Sequence, residues 1–237
     1  MFKRRSAKTE LLDNALCSND ELKKNLDEME LINHYFGSKK LLITAFNKIH
    51  DKFPNYFRNN TITVGDLGCG NGDLLRAIDE WAKSRNLHVE LIGIDINPFI
   101  IRYAIEKSLS HPDIQYKIDN ILSTEFKHHK FDIICINSVC HHFDNATLVT
   151  LFKNLKEQTR LAIIINDLHR HWLSYYSIYL LSRLFRFSTL AKIDGPLSVL
   201  RAFRKNELLK LLKQAEIKNY LIRWMWAFRW QIIIWCS

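Results

Sequence analysis

With 237 residues the chain has room for one large domain, or a domain with an added cover, and none for a second catalytic domain. Hydrophobic residues at 47% and charged residues at 25% exclude intrinsic disorder, and no apolar run reaches the length of a transmembrane helix. The excess of 34 Lys and Arg over 25 Asp and Glu, formally +9, raises nucleic acid as a partner, but the basic residues are spread along the chain rather than gathered in a block, which argues against it.

The start, Met1-Phe2-Lys3-Arg4-Arg5, is basic but leads into no apolar core of the kind a signal peptide has. Five cysteines, at 17, 69, 135, 140 and 236, are odd in number and scattered, which describes a reduced, cytoplasmic protein rather than a disulfide framework. Leu11, Leu12, Leu16, Leu22, Leu26, Met29, Leu31 and Ile32 fall at helical spacings within residues 9–36, with Ser18-Asn19-Asp20-Glu21 reading as a cap between two helices. The pattern breaks at residues 34–38, and residues 39–53 read as a further helix stopped before Pro54. Residues 1–57 are thus expected to form a helical cover over a second region, 58–237.

That second region opens on Thr61-Ile62-Thr63-Val64-Gly65-Asp66-Leu67-Gly68-Cys69-Gly70-Asn71-Gly72-Asp73. A β-branched run gives way to a turn with glycine at every second position, and Asp73 begins a helical pattern to about residue 83. A strand, a glycine turn and a helix N-terminus make a nucleotide site. A pyrophosphate on that helix would find Asp66 awkward, so the acid points to a ligand with a cationic group. The next strand, residues 89–94, ends at Asp95, placed to accept hydrogen bonds from two ribose hydroxyls. Cys69, between two glycines, reads as a small packing residue. Strands follow at 114–118, 131–136 and 161–166, alternating with helices at 98–109 and 146–158. All are dense in Ile, Val and Leu without polar alternation, as expected of a doubly wound parallel sheet covered on both faces.

These motifs resemble the class I S-adenosylmethionine-dependent methyltransferases. Asp66-Leu67-Gly68-Cys69-Gly70-Asn71-Gly72 is similar to their glycine-rich first motif and Gly93-Ile94-Asp95-Ile96-Asn97 to their ribose-binding second. Residues 114–121, with Asp119 and Asn120, resemble the third strand and adenine loop, and residues 131–142 the fourth strand and its active-site turn. The resemblance implies a Rossmann-like α/β fold with a seven-stranded sheet, mostly parallel with an antiparallel C-terminal strand, and S-adenosyl-L-methionine as cofactor. It assigns Asp66, Gly68 and Gly70 to the methionine end, Asp95 and Ile96 to ribose and adenine, Asp119 and Asn120 to the adenine amino group, and Asn137 to the turn beneath. In such enzymes the helical cover often folds over the cofactor, which makes Asn33, Phe36 and Gly37 candidates to touch it; core packing for Phe36 and a helix C-cap for Gly37 are the other reading. Asp167-Leu168-His169-Arg170, an aromatic helix and Asp194-Gly195-Pro196-Leu197-Ser198 look like bacterial methyltransferases found beside type III polyketide synthases. A small hydroxylated aromatic or polyketide-type acceptor, methylated at oxygen, is implied. The alternatives are RNA or protein as acceptor, or a cofactor-binding module without catalysis. Against RNA, the turn at Asn137-Ser138-Val139-Cys140 lacks the prolines that present an exocyclic amine.

Residues just past the fourth and fifth strands face the acceptor in such a sheet. His141 and His142 are therefore the first candidates for a base or orienting donor, and Asp167 with His169 the second, since imidazoles titrate near neutrality. The same histidines could instead serve backbone or the cofactor's amino-acid end. Cys140, His141, His142, Asp167, His169 and His171 are competent metal ligands, but no paired-ligand motif is present and no metal is expected. Residues 170–187 read as a helix with more aromatics than one core face needs, a wall for an apolar acceptor, a membrane-resting surface or plain core. An inserted helical segment is thus expected at about 168–203, including a loop at Asp194-Gly195-Pro196. Arg201 and Arg204 are read as meeting an acidic substrate group or being solvated. A helix at 205–214 and two strands folded back near Ala227 complete the chain.

Overall fold

The computed structural model describes residues 2–14 and 18–237; Leu16 and Cys17, read above as a helical position and a free thiol, lie outside them. Seven strands form one sheet: β1 (Ile62–Leu67), β2 (Val89–Asp95), β3 (Ile114–Ile118), β4 (Phe131–Asn137), β5 (Thr159–Leu168), β6 (Tyr220–Met225) and β7 (Arg229–Trp235). Their order is β3-β2-β1-β4-β5-β7-β6, parallel except that β7 runs antiparallel to both neighbours. The expected α/β fold with its Rossmann-like sheet is the one observed. Strand order reverses between β1 and β4, where Asp66 sits opposite Cys135 and Leu67 opposite Ile136. A crevice opens at the carboxyl ends of such a pair, because the crossover helices leave on opposite faces.

The crossover helices are α4 (Asp73–Lys83), α5 (Pro98–Lys107), α6 (Asn145–Gln158) and α9 (Lys205–Gln214). Before β1 come α1 (Asn19–Tyr35), α2 (Ser38–Lys52) and α3 (Pro54–Asn59). Ser18 caps α1 as its sequence suggests, its side chain accepting from the Glu21 N–H. Gly37, at φ 77°, follows directly on the C-cap Phe36 and opens α2, so a single left-handed residue separates the helices. Between residues 9 and 14 the expected helix is only a 3-10 turn at Leu12–Asn14.

Between β5 and α9 lie α7 (Trp172–Leu184) and α8 (Thr189–Arg201), and here one expectation is corrected. Asp194-Gly195-Pro196 is not a loop but the middle of α8. A Cβ on Gly195 would stand 2.8 Å from the Ile178 side chain, so this glycine lets α7 and α8 approach instead of turning the chain. The Asp194 carboxylate accepts the backbone N–H groups of Leu11 and Leu12 at 2.9 and 3.0 Å. Ser188, the N-cap of α8, donates to Glu28 of α1 at 2.6 Å. The N-terminal segment is therefore strapped along α8, with Arg5 donating to the carbonyls of Arg201 and Phe143.

Candidate active site

The glycine turn after β1 is held by sterics on both sides. Gly68, at φ 72°, lies against Val139 beyond β4, and Gly72, at φ 76°, against the Tyr116 hydroxyl; a Cβ at either would collide. Tyr116 cannot swing away freely, because its hydroxyl is bonded to Ser108 Oγ at 2.7 Å. Gly72→Ala is therefore expected to cost about 2 kcal/mol or more, left-handed strain plus overpacking, measured by urea denaturation of the ligand-free protein.

Asp66 stands on β1 just before this turn, 1% exposed, with Oδ1 buried and lacking any hydrogen-bond partner. Burial pushes its carboxyl up to about 7, reinforced by the nearby Asp73; the Asn137 amide lies near enough to oppose the shift but completes no hydrogen bond. Asp73, first residue of α4, is also buried and raised, chiefly by burial, and accepts from Asn33 at 3.3 Å. Two acids held short of solvation around one space form a receptor for a cation. Asn137, at the end of β4, spends its oxygen on Asn166 at 2.7 Å and leaves its amide nitrogen unpartnered.

These groups border a cavity of about 460 Å³ that runs from the glycine turn under α1 to the inner faces of α7 and α8. Asn33 and Phe36 line it, whereas Gly37 is not among its lining residues. Leu26, Met29, Ile178, Leu181, Phe187 and Phe228 make most of the wall apolar. Arg229, at the start of β7, also reaches it, donating to Ser138 Oγ at 2.9 Å.

At the far side stands a buried histidine and carboxylate. His141, on the 3-10 turn after β4, holds its Nδ1 2.7 Å from Asp167 Oδ1, and its backbone N–H donates to Asp167 Oδ2 at 3.2 Å. Burial alone would raise the Asp167 carboxyl; the His141 charge and bond, with the Leu168 N–H, bring it below its ordinary value. With Nδ1 engaged, Nε2 is left to accept a proton. The neighbouring His142 binds Asp13 Oδ1 through its own Nδ1 at 2.7 Å.

Glu10, which sequence reasoning missed, completes this end. Its Oε1 is buried and without a hydrogen-bond partner, 3.8 Å from His141 Nε2 and 3.5 Å from Arg201 Nε, while Oε2 accepts from Ser198 at 2.9 Å. Burial pushes its carboxyl up to about 7 against the opposing pull of His142, Ser198 and Arg201. Arg201, itself buried, donates to the His141 and His142 carbonyls at 3.1 and 2.6 Å and to Asp13 at 3.1 Å. It is neither a substrate contact nor solvated, but the clamp between the histidine turn and the N-terminal segment. Glu10, His141 and His142 offer three ligand atoms within 4.8 Å of one another. An ion held at about 2 Å would require these atoms to contract, and the Arg201 guanidinium already supplies the positive charge.

The remaining predicted residues fall elsewhere. Asp95 accepts from the Asn97 N–H at 2.9 Å and from the Gly70 and Ile96 N–H groups, which ties the second strand to the glycine turn. Asp95, Ile96, Asp119 and Asn120 are not among the cavity's lining residues; they stand at the ends of β2 and β3, where Ile96 and Ile118 are exposed. Asp119 and Asn120 use an oxygen each to cap their own turn. His169 is separated from Asp167: it bridges to Phe203 and lines, with His171, a second and open pocket. Arg170 is wholly structural, donating to the Phe2 and Ala202 carbonyls and to Glu207. Cys140 is buried among apolar core residues.

A sequence model of the methyltransferase domain matches residues 58–216. A tRNA U34 carboxymethyltransferase of Aliarcobacter butzleri (strain RM4018) is 29% identical over 112 residues, 46% of this chain and 35% of that protein, so the likeness spans about a third of the length of that curated relative. Among solved structures, the DszA carbon methyltransferase superposes with a TM-score of 0.67 at 15% identity, over 89% of this chain and 57% of that one. The plantazolicin methyltransferase BpumL, in complex with a monoazolic desmethylPZN analog and SAH, gives 0.65 at 18% identity over 91% and 89%. Human N-acetylserotonin methyltransferase, in complex with SAM, gives 0.63 at 13% identity over 92% and 56%. At such identities the superpositions establish the shared fold.

Proposed function

The chain belongs to the methyltransferase-domain family, and on that premise we propose that it methylates a small hydroxylated aromatic or polyketide-type molecule at oxygen, with S-adenosylmethionine as donor. The observation that carries this reading is one cavity lined by both the orphaned Asp66 carboxylate and His141, which Asp167 backs from behind.

The residues present fit the cofactor. Asp66, lacking a partner, and Asp73 suit its ammonium; Asp95 suits the ribose hydroxyls, and the exposed Ile96 and Ile118 side chains suit a planar base with Asp119 and Asn120 at its edge. Bound there, the cofactor supplies a methyl group on a sulfonium, an electrophile that needs a nucleophile in line with its C–S bond. The protein's part is to orient and deprotonate that nucleophile. Asp167 fixes the His141 tautomer with the proton on Nδ1, and Nε2 would take the acceptor hydroxyl's proton as the methyl passes from sulfur to oxygen, leaving the sulfur a neutral thioether. His142 and Glu10 lie beside that position and orient the hydroxyl. The apolar wall admits a ring and excludes water that would solvate the nucleophile.

The net charge of +9 and the tRNA-modifying relative favour RNA as the second reading. The mostly apolar wall weighs against it, since a nucleotide presents ribose and phosphate that this wall does not match.

Calorimetry with S-adenosylhomocysteine, followed by transfer of labelled methyl to a panel of phenols, polyketide lactones and tRNA, tests the proposal. Heat on binding and label in a phenol are expected. Absence of heat overturns the cofactor assignment, label in tRNA the acceptor class, and binding without transfer to any acceptor the catalytic reading. Asp95→Ala is expected to weaken S-adenosylhomocysteine about 10- to 100-fold in the same calorimetry, the loss of charge-assisted bonds to the ribose.

A further inference from the structure

Helix α7 is built inside out. The side chains it buries are Ser174 and Ser182, while Trp172, Tyr176, Leu180 and Leu184, one stripe at i, i+4 spacing, are turned to solvent. Leu180 is 63% and Leu184 74% exposed, and Phe185 just beyond the helix 64%. A helix on the surface of a water-soluble domain shows the reverse pattern, because each large apolar side chain left in water forgoes the free energy of its burial. The apolar surface continues past α7: His171 stacks on Phe228 at 5.3 Å, and Phe228 lies 5.9 and 6.3 Å from Trp224 and Trp226, both exposed, at the β6–β7 hairpin.

The charge around this surface is one-sided. Residues 169–205 contain a single acid, Asp194, and it is buried and spent on backbone N–H groups. Arg183, Arg186, Arg204 and Lys205 are exposed, and none is ion-paired with a carboxylate among the described residues. We infer that the outer face of α7 and the β6–β7 hairpin tip dock on an anionic lipid bilayer, with α7 lying in the interface plane. Tryptophan and tyrosine suit the boundary between headgroups and acyl chains, and arginines beside them meet lipid phosphates. A second copy of this chain, paired face to face about a twofold axis, would set Arg183 and Arg186 against their own copies with no acid of this segment to offset them. The helix is 13 residues long, and no helix among the described residues is long and apolar enough to cross a membrane, so it lies on the bilayer. Its inner face, through Ser177, Ile178 and Leu181, is a wall of the cavity. A lipid-dissolved acceptor would therefore reach the proposed methyl-transfer site from beneath α7; this route rests on the function proposed above, whereas the lipid contact does not.

The test is flotation of the full chain with vesicles of phosphatidylcholine alone or mixed with phosphatidylglycerol. Binding to the anionic vesicles, weakening as salt rises, is expected. Leu180→Glu with Leu184→Glu should reduce it about a hundredfold, and Arg183→Gln with Arg186→Gln about tenfold, with melting temperature and S-adenosylhomocysteine affinity unchanged in both. Wild type left at the bottom of the gradient overturns the inference, as does undiminished binding of the glutamate variant. A dimer in analytical ultracentrifugation that the glutamate variant dissolves assigns the face to a second copy instead. S-adenosylhomocysteine binding is read separately, so failure of the lipid contact leaves the methyl-transfer proposal standing.

Discussion

Asp66→Asn is expected to lower S-adenosylmethionine affinity about a hundredfold at pH 8 while raising the melting temperature of the ligand-free protein by roughly 10 °C. Both effects come from one unpartnered oxygen. In the folded chain the Asp66 carboxyl titrates at about 7, against an ordinary value of 3.8. Between these values the unfolded chain releases a proton that the folded one keeps, so stability is lost progressively from about pH 4 to pH 7, in all on the order of 4 kcal/mol. Above that range both states are ionised and the cost is constant. Asparagine carries no such cost, so the gain in melting temperature should be small at pH 4 and largest at pH 7 and above. A bound ammonium reverses the balance by favouring the ionised form. Wild-type affinity should rise about tenfold per pH unit up to about pH 7 and then level, whereas the variant's should be flat. Scanning calorimetry across pH and binding calorimetry at the same values check the two halves. A variant with wild-type affinity would show that Asp66 does not face the cofactor.

The parts of this site that could be read in advance are those that local sequence dictates. Residues 61–73 carry their strand, turn and helix start within one stretch, and β-branched runs with no polar alternation mark β1, β2, β4 and β5 as strands covered on both faces. His141 and His142 could be placed at the end of β4 because parallel sheets put their sites there. The rest is set by contacts between distant residues. Glu10 reaches the site because Ser198, 188 residues away, and Arg201 hold it there. Nothing near Glu10 in sequence announces that. Gly195 and Pro196 read as turn residues because glycine and proline usually are, yet the glycine answers to Ile178 across the helix pair. The separation of His169 from Asp167 likewise follows from the bridge to Phe203, which carries the chain after β5 away from the cavity. Arg201, a surface cation by composition, is buried because four acceptors converge on it.

The Asp167–His141 pair is where the largest catalytic loss is expected. His141→Gln should lower kcat about 10²- to 10⁴-fold, the range for removing a positioned general base, with S-adenosylhomocysteine affinity unchanged because the side chain stands at the acceptor end. Asp167→Asn should cost nearly as much although the imidazole remains: an amide that donates to Nδ1 moves the imidazole proton to Nε2, the atom that must accept. His142→Gln is expected to cost less, about tenfold, since that imidazole orients the hydroxyl and its Nδ1 is tied to an exposed acid. The two variants separate a base from a merely structural histidine: were His142→Gln to lose more of kcat than His141→Gln, the proton would belong to His142, and the Asp167–His141 pair would hold the turn in place. The 3-10 turn makes the distinction measurable, for it sends His141 inward to the carboxylate of β5 and His142 outward to the N-terminal segment.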